Sequence, residues 1–412
     1  MASRSLYFFP FILISLLPAL LVTGPFLADL SVVILNFFFF YIVFKEKNFH
    51  FFKNKFFLFF IFFCFYLIIR SFFSDNLEVS LKSILFYFRF IIFSLMIYLT
   101  LKNFPNFFEK FSLIFLITIN FILIDSIVQF FLGVDILGLS SGHSSRISGP
   151  FGDELILGSY LSRFSPFLLF FFYYEKKPFN YLFLITFFLG FIVTLLSAER
   201  TGTVYYLMSI LFFLLFSKKF FKIKILFLII SIISALFILN IDKTKKRLIT
   251  QAIQNSNGGT LWFSVMHDAH LRTAYKMFEK NPFFGVGPKM FRFECSKKKY
   301  EIVNPPHTRS NDLRCSTHPH NILIQLMAET GLIGLIFYVF VFLYVLVNLL
   351  KIFFGMFINR NIAKKNYKIF FLFSFFLTLW PIAPSGNFFN NWLSIIFFYP
   401  LGFYLYLNET SK

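Results

Sequence analysis

The sequence predicts an all-α polytopic membrane protein, and three observations carry that prediction. Of the 412 residues, 58% are hydrophobic, 73 are phenylalanine, and the mean hydropathy is +0.74. Apolar runs near twenty residues recur along the chain, the length a helix needs to cross a bilayer. Lysine-rich connectors separate those runs, as topology determinants do. No soluble fold buries so large an apolar fraction. The net charge of +20 lies in the connectors rather than on one basic face, which argues against nucleic-acid binding. Phenylalanine is abundant along the whole chain, as a nucleotide-biased genome would produce, so no single ring is a functional candidate.

Twelve spans are expected, at 6–24, 26–44, 55–72, 82–101, 111–132, 154–174, 179–197, 202–217, 225–240, 321–350, 367–383 and 391–407. Residues 1–24 hold Arg4 and a long apolar stretch without a small-x-small cleavage site, and read as an uncleaved first helix. The basic connectors fall at alternate turns: Lys45/Lys47/Lys53/Lys55, Lys102/Lys110, Lys176/Lys177, Lys218/Lys219/Lys222/Lys224 and Lys351/Arg360/Lys364/Lys365/Lys368. The positive-inside rule puts these, and both termini, in the cytoplasm. The other face then carries 133–153, 198–201, 241–319 and 384–390. The chain divides into helices 1–9 over 1–240, a large outer loop with short helices over 241–319, and helices 10–12 over 320–412. The loop is itself basic, but loops beyond about sixty residues cross regardless of charge. Within it, LRTAYKMFEKNPFFGVGP reads as an amphipathic helix ending at Pro282, followed by a turn at Gly285 and Gly287.

Four clusters share the outer face in this topology: Arg146 in SSRISGPFGDELILGSYL, Arg200 in SAERTGT, Arg272 on the loop helix, and His318-Pro319-His320-Asn321. A guanidinium is a planar, permanently charged fork that matches phosphate oxygens, so arginines converging there would seat a diphosphate. A single arginine is more often a solvated or snorkelling charge. His320 alone would more often be a capping group. Here Asn321, Gln325 and Glu329 follow at spacings of four, a polar stripe along one helix face. Such a stripe in an apolar span is costly unless it faces a cavity. A neutral imidazole can take a proton from a sugar hydroxyl. Gly331 and Gly334 would allow close packing or a bend.

Other groups have structural readings. Arg89 and Asp125 lie within spans and are expected to pair, with Gln129 near Asp125 and Arg163 a weaker candidate for the same cavity. Cys64 sits in a span. Cys295 and Cys315 share the outer loop, and a disulfide between them would close a ring before His318 worth roughly 3 kcal/mol. The histidines at 267, 270, 307, 318 and 320 lack the spacing of familiar zinc motifs, so no metal is expected, nor is any cofactor.

The chain resembles the O-antigen ligase and polymerase superfamily of bacterial inner-membrane glycosyltransferases, from about residue 75 to 395. The most specific element is His320-Asn321, followed after nine residues by Gly331-x-x-Gly334. FILIDSIVQFFLGVDILG, RISGPFGDELILGSYL, LLSAERTG and the Arg272 helix leading into NPFFGVGPKMF support it. The resemblance implies a GT-C type fold, a periplasmic active site and an undecaprenyl-diphosphate-linked glycan donor, used without metal or nucleotide cofactor. It implies that Arg200 and Arg272 engage the diphosphate, with Arg146 a third contact. His320 would be the base and Asn321 would orient it. The expected activity is ligation: inverting transfer of glycan from undecaprenyl diphosphate to lipid A-core, the basic loop guiding an anionic acceptor. Chain polymerisation by the same superfamily is the alternative. A polysaccharide or lipid-glycan transporter is the rival from another class, although no internal repeat supports it.

Overall fold

The computed structural model describes residues 2–141, 146–216, 220–251, 253, 264–302, 311–358 and 366–410. His307, Lys218/Lys219, Arg360 and Lys364/Lys365 lie outside them. The described residues form helices and turns, with one isolated β-bridge between Val134 and Ser140.

The main helices are α1 (Ala2–Leu20), α2 (Pro25–Glu46), α3 (Lys55–Ser71), α4 (Leu77–Ile84), α5 (Arg89–Asn103), α6 (Phe107–Leu132), α7 (Leu157–Tyr174), α8 (Phe179–Leu196), α9 (Arg200–Leu215), α10 (Phe221–Leu239), α11 (Val265–Lys280), α12 (Ile322–Ile358), α13 (Lys368–Thr378) and α14 (Asn391–Thr410). Among the described residues, six helical stretches are long and apolar enough to cross a membrane: Pro25–Glu46, Leu77–Asn103, Phe107–Leu132, Phe179–Leu196, Phe221–Leu239 and Ile322–Gly355. Leu6–Leu20, Arg200–Leu215 and Lys368–Thr378 are shorter apolar helices. Side chains such as Phe37, Ile117, Leu226 and Phe237 are exposed on the outside of the bundle. In lipid that face is a satisfied surface, while the backbone groups stay bonded within each helix. The protein is therefore an all-helical membrane protein.

Close approach of small residues sets the central packing. The α7–α8, α7–α9 and α5–α14 pairs make the most extensive helix contacts. A Cβ on Gly202 would lie 2.5 Å from the Gly158 carbonyl carbon, so α7 and α9 touch backbone to backbone near their starts. Gly402 is likewise pressed onto Ile97 where α14 crosses α5.

The connectors gather at one end of the bundle. Phe51 meets Tyr98, Lys102 pairs with Glu409 at 2.9 Å, Phe108 meets Tyr174 and Tyr406, and the Tyr367 hydroxyl donates to the Tyr173 carbonyl. Lys177 lies over the ring of Phe220.

The opposite end is built around a break in α12. Gly331 has φ 63° and ψ −153°, a conformation open essentially to glycine alone. The turn at 282–287 docks into that break. Val286 N donates to Ala328 O at 2.9 Å, Gly287 N to Glu329 O at 2.8 Å, and Leu332 N to Pro282 O at 2.7 Å. A side chain on Gly331 would collide with the Phe283 carbonyl, and one on Gly285 with the backbone of Glu329. A small apolar core forms above the turn from Ala274, Met277, Val286, Met290, Phe291, Cys295, Tyr300 and Ala328. Cys295 and Cys315 are joined by a disulfide at its edge, Cα atoms 5.2 Å apart.

One expected pairing is corrected. Arg89 does not meet Asp125: its Nη2 lies 2.6 Å from Asp29 Oδ1 of α2. The expected span at 82–101 is interrupted at residues 85–88, so Arg89 starts α5 beside α2 instead of sitting two turns inside a helix. Asp125 instead accepts from the Ile136 amide at 2.8 Å, closing the turn after α6. Gln129 accepts from the amides of Ser148 and Gly149. These two side chains tie Ile136, Ser148 and Gly149 back to the end of α6.

Gly331→Ala should destabilise the chain by about 2 kcal/mol or more, from backbone strain plus the collision with Phe283. Thermal unfolding of the purified protein checks this; a wild-type transition would show that the break at Gly331 is not required.

Candidate active site

A cavity of about 800 Å³ opens at the end of the bundle where the 282–287 turn docks, and His318 and His320 line it with Arg146, Arg163, Lys289 and Arg292. Glu154, Glu199, His267 and Trp392 add to the wall, and Leu21, Val22 and Leu393 give it an apolar side.

Local chemistry fixes His320. It stands just before α12 with φ 56°, a left-handed backbone that non-glycine residues seldom adopt. Asn321 is the reason the helix starts there: its Oδ1 accepts from Ile324 N at 3.1 Å, a side-chain N-cap. Its Nδ2 donates to the Pro381 carbonyl at 2.7 Å, and Ser385 N donates to the His320 carbonyl at 2.8 Å. Asn321 thus holds the backbone of His320 against the 381–385 connector, while its own side chain bonds elsewhere. The His320 Nε2 lies 3.1 Å from the Ser316 hydroxyl.

Four imidazoles crowd together. The His320 ring centroid is 4.1 Å from that of His318, 5.1 Å from His267 and 5.4 Å from His270. His267 and His270 stand one turn apart on α11. Burial first, then the neighbouring imidazoles, pushes His320 down to about 3. Burial pushes His318 down to about 4, with Arg292 and the other rings adding to it. His267 is also lowered, by burial and then by Arg200. The cluster is therefore neutral at pH 7, which leaves ring nitrogens free to accept protons. Among the described residues no group of three or more His, Cys, Asp or Glu side chains is placed to hold a metal ion.

The arginines divide. Arg146 lines the cavity and donates to the carbonyls of Leu155 and Ser197 at 3.0 and 3.3 Å. Arg163 lies deeper, its guanidinium 5.1 Å from the centre of the Tyr205 ring and one nitrogen donating to Ser159 O. Arg200 begins α9 beside the cavity, where Thr201 lines the wall, and it donates to the Arg247 carbonyl at 3.1 Å. Arg272 is placed differently. It is half exposed, it pairs with Asp268 at 2.7 Å, and it does not line the cavity. At 100° per residue it sits about 140° round α11 from His267, so the face that presents the histidines turns Arg272 away.

The polar stripe on α12 also has a different role from the one its spacing suggested. Gln325 Nε2 donates to Glu329 at 3.0 Å and to Asn387 at 3.1 Å, and its Oε1 accepts from Phe388 N. Glu329 accepts from Phe291 N at 3.1 Å. Both side chains are fully buried. They bind two connectors to the helix, and so satisfy their polar atoms without lining the cavity.

Sequence reasoning missed Lys289 and Arg292. Their only signal is position, just after the glycine turn. His267 and His270 were weighed only as zinc ligands, and the i, i+3 spacing on an amphipathic helix was the available clue.

Residues 185–339 match the family described as O-antigen ligase. No curated protein matches the chain. The matched segment spans α8 through the break in α12, and holds Arg200, Arg272, His320, Asn321, Gly331 and Gly334. Over these residues the match bears out the resemblance to the ligase and polymerase superfamily.

The histidine cluster predicts a pH dependence. Histidines whose basicity is depressed by folding are neutral in the folded state and charged in the unfolded one below about pH 6.5. Stability is thus full above that value and lost as pH falls towards 3 to 4, where the folded groups take up protons. The melting temperature should drop between pH 7 and 5, and His320→Asn should flatten the drop. A melting temperature independent of pH over that interval would contradict the cluster's neutrality.

Proposed function

We propose that the protein transfers a glycan from a lipid-linked diphosphate to an acceptor hydroxyl at the outer face of the bacterial inner membrane, acting as an O-antigen ligase with lipid A-core as acceptor. The observation that carries this reading is the neutral His320 held beside arginines in one cavity, within the segment that matches the family. Gathering of the basic connectors at the far end supports cytoplasmic termini and a cavity open to the periplasm. In this reading residues 1–240 and 320–412 are the membrane part, and 241–319 is the periplasmic cap that carries α11 and the docked turn.

The chemistry needs no metal and inverts the anomeric carbon. His320 takes the acceptor proton as the acceptor oxygen attacks that carbon. The bond from the carbon to the phosphate oxygen breaks, and undecaprenyl diphosphate leaves with the electron pair. Arg146 and Arg163 face the departing charge, and Arg200 stands close beside them. A base at about 3 is weak by itself. A bound diphosphate stabilises the imidazolium and raises its basicity, so the donor itself would prime the base. Asn321 acts by fixing the His320 backbone. Arg272 pairs with Asp268 one turn away on α11, outside the diphosphate seat of this reading.

Transfer by purified protein in lipid nanodiscs tests the roles. His320→Ala should lower turnover by about 10²-fold or more while the protein still accumulates. Arg146→Ala should cost more than Arg272→Ala; the reverse order would return Arg272 to the diphosphate seat. Arg200→Lys should lose roughly tenfold, because the planar fork is lost. The lipopolysaccharide profile of a deletion strain tests the acceptor: bare core with long polymer left on the carrier means ligation. Core bearing a single repeat unit would mean polymerisation, and an unchanged profile would remove both.

A further inference from the structure

Lys289 and Arg292 follow the docked turn and line the cavity beside His318. Their segment is a rigid strap. The buried Glu329 faces the amides of Lys289 and Phe291, Gly287 is bonded to the α12 backbone, and the Cys295–Cys315 disulfide holds the far end. Lys289 has φ 59°, so the backbone is bent to present this residue. Neither cation pairs with a carboxylate among the ion pairs of the described residues. Lys289 is half-buried, and Arg292 stands close enough to lower its basicity after burial does. Arg292 is exposed at the mouth, and its charge beside the half-buried Lys289 is unfavourable on its own. It becomes favourable when an anion arrives.

Electrostatic neighbourhoods separate this pair from the arginines described above. Arg146 feels Glu199, Arg247 and Arg200, and Arg200 acts on His267. Lys289 feels Arg292 and Glu329, and Arg292 acts on His318. His320 shares the cavity with both groups, its ring centre 4.1 Å from that of His318, on which Arg292 acts, and 5.1 Å from that of His267, on which Arg200 acts. A base that serves a transfer belongs between the leaving group and the nucleophile.

We infer that Lys289 and Arg292 form a second anion seat, which holds a phosphate or carboxylate group carried by the acceptor glycan while Arg146, Arg163 and Arg200 hold the donor diphosphate. The inference rests on the transfer reading above. It makes acceptor charge a condition of productive binding: the acceptor sugar docks through its acidic substituent and presents a hydroxyl to His320.

The test uses the full chain in phosphatidylcholine nanodiscs with three probes: octyl glucoside, octyl glucoside 6-phosphate and farnesyl diphosphate. Wild type should bind the 6-phosphate about tenfold or more tightly than octyl glucoside, the worth of a charge-assisted contact pair. Lys289→Gln with Arg292→Gln should abolish that preference while weakening farnesyl diphosphate less than about threefold. The conservative pair Lys289→Arg with Arg292→Lys should restore the preference, which separates lost charge from lost fold. Wild type without a preference for the phosphate overturns the seat. So does a double glutamine variant that loses farnesyl diphosphate instead, since the cations would then serve the donor. Failure of wild type to bind farnesyl diphosphate at all would strike the donor reading and leave the phosphate preference to be judged by itself.

Discussion

The docking of the 282–287 turn into the break at Gly331 is the constraint on which the site depends. An unbroken α12 would keep its backbone groups to itself. At Gly331 it releases them, and the turn takes them up through Pro282, Val286 and Gly287. That exchange fixes the cap on the bundle. It sets α11 with its two histidines over His320, and it sets the strap with Lys289 and Arg292 over His318. Glycines at 285 and 331 are needed because two backbones come closer there than any Cβ allows.

Burial then determines the chemistry. Four imidazoles, three of them with ring centres 4.1 to 5.4 Å from that of His320, cannot all carry protons, and desolvation pushes in the same direction. The guanidinium groups of Arg146, Arg163 and Arg292 line the same cavity with Lys289. The cavity is thus a neutral proton acceptor flanked by fixed positive charge, the arrangement that an anionic lipid donor requires. Its apolar side, with Leu21, Val22 and Leu393, suits a ligand that reaches the site from lipid.

Much of this was legible in the chain. Hydropathy located the helices, because a lipid-facing helix must be apolar over its length. The spacing of Gly331 and Gly334 signalled a bend, and the loop helix before Pro282 was read from its amphipathic period. Partners were harder to read. Arg89 was matched with the wrong carboxylate because its helix starts later than hydropathy suggests, which puts Asp29 within reach. Arg272, expected at the diphosphate, lies outside the cavity lining and pairs with Asp268, a placement set by its angle round α11. The stripe of Gln325 and Glu329 announced a buried polar need, but a sequence does not say whether a cavity or a neighbouring loop meets it. Lys289 and Arg292 resembled any basic loop residues, since their meaning comes only from the turn that carries them.

The central claim is that one cavity brings donor diphosphate, acceptor and His320 together. A cryo-EM structure of the full chain in nanodiscs with a bound undecaprenyl-diphosphate glycan tests it most directly. The account predicts the diphosphate against Arg146 and Arg163, beside Arg200, with the first sugar next to His320. Diphosphate bound on the outer side of α11 against Arg272, away from His320, would contradict it.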